Sequence, residues 1–170
     1  LQHAALTAAR DTRGPILECG SGLSTVLLGI AAQKAGVRVW TLEHDAMWAA
    51  RIESALRRLG ISSVQMCVAP LRSYGEFSWY SLPTDGLPSD FSLVICDGPP
   101  GETRGGRYGL LPVLRDRLAP SCRILLDDAG RAGEQEILLR WRQEAGWDAG
   151  PLRGTTKQFA TITVPPREGS

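Results

Sequence analysis

The sequence predicts an α/β domain built on a mostly parallel sheet with helices on both faces. Three observations carry that prediction. Short β-type apolar runs alternate with amphipathic helical stretches along most of the chain. A helix between two strands implies a crossover, which makes the strands parallel. At 170 residues the chain fits one domain, spanning 1–170, with a substantial buried core.

The elements follow in order. Residues 1–13 form a helical lead-in; the chain opens at Leu1 rather than Met, which reads as a trimmed chain. Pro15 to Cys19 is the first strand, broken by Gly20-Ser21-Gly22. Leu23 to Ala35 is helical and stops near Gly36. Val37 to Leu42 is the second strand, and Asp45 N-caps the next helix. That helix carries Trp48, Ile52, Leu56 and Leu59 on one stripe, read as core, and ends at Gly60. Ser63 to Val68 is the third strand. Residues 70–90, rich in Pro, Gly, Ser and aromatics, read as a long loop whose Tyr74, Trp79 and Tyr80 wall a substrate or pack down on the sheet. Phe91 to Cys96 is the fourth strand, stopped by Asp97-Gly98-Pro99-Pro100. Leu111, Leu114 and Leu118 share a helical face, with Pro112 in the first turn. Arg123 to Leu126 is the fifth strand, ending at Asp127-Asp128. Ile137, Leu138 and Trp141 mark the last helix. Trp147 to Leu152 and Lys157 to Val164 are two closing strands with no helix between them, so they pair antiparallel.

Composition narrows the function. The net charge is +1, and only Lys34 and Lys157 among the 19 basic residues are lysines. The scattered arginines read as solvated surface and draw the chain toward neither nucleic acid nor membrane. Cys19, Cys67, Cys96 and Cys122 lie in apolar runs without a C-x-x-C pair, as small buried hydrophobes in a reducing, cytoplasmic compartment. No apolar run approaches the ~20 residues of a membrane helix, and no secretory leader opens the chain. Oligomeric state is open.

The chemistry-bearing residues fall at strand ends, where open α/β sheets bind ligands. Strand, Gly20-Ser21-Gly22 bend and helix follow one another, so the backbone can approach a ligand and the helix start can face a carboxylate or phosphate. Glu43 ends the second strand, placed to accept hydrogen bonds from both ribose hydroxyls, with His44 as an adenine neighbour or plain loop residue. A nicotinamide dinucleotide is disfavoured. The third glycine of its fingerprint falls on Thr25, and the closing hairpin replaces the second half of a dinucleotide fold.

On these residues the chain resembles the class I S-adenosylmethionine-dependent methyltransferases. Glu18-Cys19-Gly20-Ser21-Gly22-Leu23-Ser24 is similar to their first motif, Glu43 to their ribose-binding acid, and Asp97-Gly98-Pro99-Pro100 to their fourth motif. The resemblance implies a Rossmann-like three-layer sandwich with a seven-stranded sheet, order 3-2-1-4-5-7-6 and strand 7 antiparallel. It implies S-adenosylmethionine held by Glu18, Cys19, Gly20, Ser21, Gly22, Ser24, Thr25, Glu43, His44 and Asp97. Ala69-Pro70-Leu71 depart from the acidic adenine-binding pattern and would hold adenine by apolar and backbone contacts. Asp97 is the candidate base beside the methyl group, with Asp128 the second catalytic candidate.

Asp97, Asp127 and Asp128 also resemble the carboxylate set of metal-dependent O-methyltransferases of the catechol and caffeoyl-coenzyme A type. That implies a hard cation such as Mg or Ca, although Asp128 stands where that set has Asn. The alternative is that Asp128 caps the helix starting near Arg131 and Asp127 pairs with an arginine. Arg104, Arg107 and Tyr108 follow Asp97, and the arginines either grip an anionic substrate or lie solvated. The expected activity is methyl transfer to a small-molecule acceptor, oxygen first. The alternatives are an NAD(P)-dependent oxidoreductase, aminopropyl transfer, and a non-catalytic S-adenosylmethionine-binding module.

Overall fold

The computed structural model describes residues 2–155 and 157–166, so Leu1 of the lead-in lies outside the described residues. The chain begins with helix α1 (Gln2–Asp11), strand β1 (Ile16–Cys19) and helix α2 (Leu23–Ala35). Strand β2 (Val39–Glu43), helix α3 (Ala46–Arg58) and strand β3 (Val64–Val68) follow. Then come the short strands β4 (Leu71–Ser73) and β5 (Ser78–Tyr80), and strand β6 (Phe91–Cys96). A 3-10 turn (Gly106–Gly109) leads into helix α4 (Leu110–Leu114), strand β7 (Leu118–Leu126), helix α5 (Ala132–Ala145) and strand β8 (Ala160–Thr163).

The main sheet has six strands in the order β3-β2-β1-β6-β7-β8, parallel except for β8, which runs antiparallel to β7. The expected parallel core is therefore present. The expected seventh strand is not formed as a strand. Trp147 to Leu152 contributes only a bridge from Ala149 to Ile162, and Arg153 bridges to Phe159. Gly150 and Pro151 explain this: proline offers no N–H to a ladder and glycine packs no side chain against one.

Two further elements differ from expectation. The 70–90 segment is not one long loop, because β4 and β5 pair as an antiparallel hairpin that turns at Gly75 with φ 86°. Strand β7 begins at Leu118, ahead of the expected Arg123; Leu118 is expected on a helical face with Leu111 and Leu114, but that helix ends at Leu114. The register of β7 against β6 shifts between Phe91 and Leu93, and Ser121 nearby takes φ 62°.

Alternation along the strands separates two cores. Leu17, Val94, Cys96, Ile124 and Leu126 face α5 and the β4–β5 hairpin, together with Trp79, Tyr80, Trp141 and Trp147. Ile16, Val39, Leu93, Ile95 and Leu125 face α1 and α2 through Ala5, Ala9, Leu28 and Ala32. All four cysteines are buried and free, as expected. Among the described residues no helix is long and apolar enough to cross a membrane.

Candidate active site

Sheet register brings the candidate residues to one edge. Cys19 pairs with Leu42 and with Cys96, and Cys96 pairs with Leu126. The ladder runs one step further: Gly20 N donates to Leu42 O at 2.9 Å, Asp97 N to Cys19 O at 3.1 Å, and Asp127 N to Cys96 O at 3.0 Å. Gly20, Asp97 and Asp127 are thereby side by side at the carboxyl ends of β1, β6 and β7.

The glycines of the bend do different jobs. Gly20 has φ 86°, and a Cβ there would press on the Gly98 backbone at 3.2 Å. Gly22 is extended, and a Cβ there would meet nothing within 4 Å, so its place is open space at the mouth of α2. The first turn of α2 contains no acidic residue, and Thr25 Oγ1 accepts the Gly22 N–H at 2.9 Å. This positive helix end faces a cavity of about 400 Å³.

Glu43 fixes the opposite wall. Its Oε2 accepts from Ser21 N at 2.9 Å and Ser21 Oγ at 2.7 Å, and its Oε1 accepts from Asp45 N at 2.9 Å. His44 Nδ1 lies 2.9 Å from the same Oε1. Asp45 caps α3 through the N–H groups of Met47 and Trp48, as expected. The cavity is lined by Gly20, Ser21, Gly22, Ser24, Glu43, His44 and Asp97 from the sequence-derived set.

Other residues of that set lie elsewhere. Glu18, Cys19 and Thr25 are fully buried beneath the bend. Glu18 accepts from Thr41 Oγ1 at 2.9 Å. Burial pushes its carboxyl up to about 7 against the opposing hydrogen bonds of Ser24, Thr25 and Thr41. It shapes the bend from below. Ala69, Pro70 and Leu71 do not line the cavity.

Three side chains decide or overturn readings of the sequence. Trp48 is exposed rather than core; its Nε1 donates to Ser21 O at 3.0 Å and its ring lines the cavity. Tyr80 also lines the cavity, fully buried, and its hydroxyl has no hydrogen-bond partner among the described residues. A Cβ on Gly98 would strike that hydroxyl at 2.3 Å. Arg107 is neither solvated nor free to grip a substrate, being 3% exposed. Arg104 is exposed.

Beside the cavity, Asp97, Asp127 and Asp128 come together with carboxylate oxygens within 4.8 Å of one another. Burial, then the charge of Asp127, lifts the Asp97 carboxyl up to about 6. Spacing alone would admit a hard cation. The guanidinium of Arg107, however, already faces two of the three carboxylates, with Nη2 at 3.5 Å from Asp97 Oδ1 and 3.6 Å from Asp128 Oδ2. It reaches the third residue only through the Asp127 backbone carbonyl, and Asp127 Oδ1 is buried with no hydrogen-bond partner among the described residues. Asp128 does not cap α5: the N-cap is Arg131, which instead pairs with Asp128 Oδ2 at 3.0 Å.

Solved structures share this architecture. An RNA methyltransferase from Salinibacter ruber in complex with S-adenosyl-L-homocysteine matches 98% of this chain and 91% of its own, at TM-score 0.64 and 16% identity. A Podospora anserina methyltransferase with S-adenosylhomocysteine bound matches 97% and 78%, at TM-score 0.69 and 16% identity. The fold is that of the class I S-adenosylmethionine-dependent methyltransferases. A precorrin-6y C5,15-methyltransferase from Geobacter metallireducens shows the same class I fold over 97% of this chain and 87% of its own, at TM-score 0.69 and 13% identity. No protein-family model and no curated protein matches the chain at the level of sequence.

Proposed function

We propose that this chain is an S-adenosylmethionine-dependent methyltransferase acting on a small-molecule acceptor, with an oxygen nucleophile favoured. The observation that carries the reading is the cavity bounded by the Gly20–Gly22 bend, Glu43 and Asp97. Its parts suit an adenosyl amino acid. The open place at Gly22 and the α2 N-terminus suit a carboxylate. Glu43, held against Ser21, presents acceptor oxygens where ribose hydroxyls would donate. The Tyr80 hydroxyl, without a hydrogen-bond partner among the described residues, offers one more hydrogen bond. When bound, the cofactor supplies an activated methyl group. The chain aligns the acceptor, and Asp97, 43% exposed at the cavity, takes the acceptor's proton on its carboxylate. A carboxyl held near 6 is deprotonated at neutral pH yet more basic than an ordinary aspartate.

The acceptor class is the finer part of the reading. The net charge of +1 supports a small molecule over a polyanion, although one structure of this fold belongs to an RNA methyltransferase. Calorimetry with S-adenosylmethionine, S-adenosylhomocysteine and NAD tests the cofactor. Binding of the first two and not NAD is the expected result, and binding of NAD alone overturns it. Radiolabelled methyl transfer to pooled phenols, alcohols, amines and RNA then tests the acceptor. At saturating cofactor, Asp97→Asn should lower transfer about 10²–10⁴-fold. Transfer at the original rate would remove Asp97 from the role of base.

A further inference from the structure

We infer that the guanidinium of Arg107 is the resident cation of the carboxylate cluster, occupying the place a divalent metal ion would take. The chain places it there from the 3-10 turn after β6. Nη1 donates to Asp127 O at 3.0 Å and to Glu134 Oε1 at 2.8 Å. Nη2 donates to Asp97 O at 3.1 Å and faces the Asp97 and Asp128 carboxylates. One planar fork thus ties the end of β6, the end of β7 and the first turn of α5, a geometry that an ammonium or a spherical ion does not reproduce.

The position is closed as well as charged. Magnesium and calcium hold oxygen ligands at roughly 2.0–2.6 Å. Nη2 stands 3.5 Å from Asp97 Oδ1 and 3.6 Å from Asp128 Oδ2, so an ion entering between those oxygens from the Arg107 side would meet a like charge in a partly dry pocket. The turn that carries Arg107 packs closely at both ends: a Cβ on Gly109 would meet the Trp79 ring at 2.7 Å, and one on Gly105 would meet Phe77 at 2.5 Å. Withdrawal of the guanidinium would strand Glu134, which is buried. Arg131, 58% exposed, adds a second positive charge from the solvent side of Asp128. Arg107 thereby holds the Asp97 carbonyl and faces its carboxylate.

The inference concerns the cluster and stands apart from the cofactor reading. Its test uses the metal salts alone. The full chain, stripped with chelator, is titrated with MgCl₂, CaCl₂ and MnCl₂ by calorimetry, and Mn²⁺ binding is followed by electron paramagnetic resonance. Wild type should show no saturable binding up to ~10 mM, well above the dissociation constants of ordinary protein calcium sites. Arg107→Met should gain saturable binding of at least one cation, and Asp127→Asn added to it should abolish that gain. Arg107→Lys, which keeps the charge, should bind none. Saturable sub-millimolar binding by wild type that is lost in Asp127→Asn or Asp128→Asn overturns the inference. So does a folded Arg107→Met protein that binds no cation. If circular dichroism shows that Arg107→Met does not fold, the wild-type titration decides by itself: no binding supports the assignment and binding overturns it. None of these readouts requires S-adenosylmethionine, so loss of the cofactor reading would show separately, in the nucleoside calorimetry.

Discussion

Two side chains carry the cofactor reading, and each makes its own prediction. Both Glu43 oxygens are engaged, one by Ser21 and one by the start of α3, so this carboxylate holds the bend as well as facing the cavity. Glu43→Ala should weaken S-adenosylhomocysteine binding by about 1–3 kcal/mol, since charge-assisted hydrogen bonds are lost. Calorimetry measures it, and an unchanged affinity removes Glu43 from the site. Tyr80 is the opposite case. Its hydroxyl is buried without a hydrogen-bond partner among the described residues, so the free protein carries a desolvation cost that a ligand would relieve. Tyr80→Phe should melt no lower than wild type when unliganded, yet bind S-adenosylhomocysteine about 1 kcal/mol less tightly. A lower melting temperature without ligand would mean that the hydroxyl stabilises the free protein. An unchanged affinity would mean that the ligand does not reach it.

At the scale of elements, close packing sets α2 over the sheet edge. A Cβ on Gly29 would strike Ile61 at 2.6 Å and Val64 at 2.7 Å, and Ser63 Oγ donates to Gly29 O at 2.7 Å. Gly29→Ala should therefore destabilise by about 1–3 kcal/mol despite the better helix propensity of alanine. Urea denaturation reads the difference, and a stabilised variant would show that the contact gives way. Strands were legible where buried runs are bounded by clear breakers, as in β1 and β6. The limits of periodicity show at α3. Its buried stripe is Ala49, Ile52 and Leu56, and spacing alone did not separate Ala49 from Trp48, which covers the bend instead. The β4–β5 hairpin was hidden by strands of three residues each, although aromatics on both sides of Gly75 were the available signal. Arg107 had no local signal: its partners Asp97, Asp127, Asp128 and Glu134 are distant in sequence, and only the sheet register gathers them. The bend, Glu43 and Asp97 were readable because strand ends are marked by residues that stop strands.

Over the whole molecule, the edge that forms the cavity also concentrates buried acid, and this sets how stability responds to pH. Burial moves Glu18 from its ordinary 4.5 up to about 7, and Asp97 from 3.8 up to about 6. Across those intervals the folded chain keeps protons that the unfolded chain has released. Stability contributed by these groups is therefore complete in acid and is lost as pH rises from near 4 through about 7. This is the reverse of a protein whose carboxylates are salt-bridged and depressed. Glu18 dominates, since it is fully enclosed beneath the glycine bend while Asp97 is partly solvated. A carboxyl moved from 4.5 to about 7 corresponds to about 3 kcal/mol between its protonation states, an upper figure for its share. The melting temperature of the unliganded protein should accordingly fall between about pH 5 and about pH 7.5. Glu18→Gln, which mimics the protonated form, should flatten most of that fall, with little gain at the acid end and a clear gain at the alkaline end. Calorimetric melting of both proteins across this range decides the matter. A variant whose profile runs parallel to wild type would show that Glu18 keeps an ordinary carboxylate affinity for its proton, and that the glycine bend rests on something other than a buried acid.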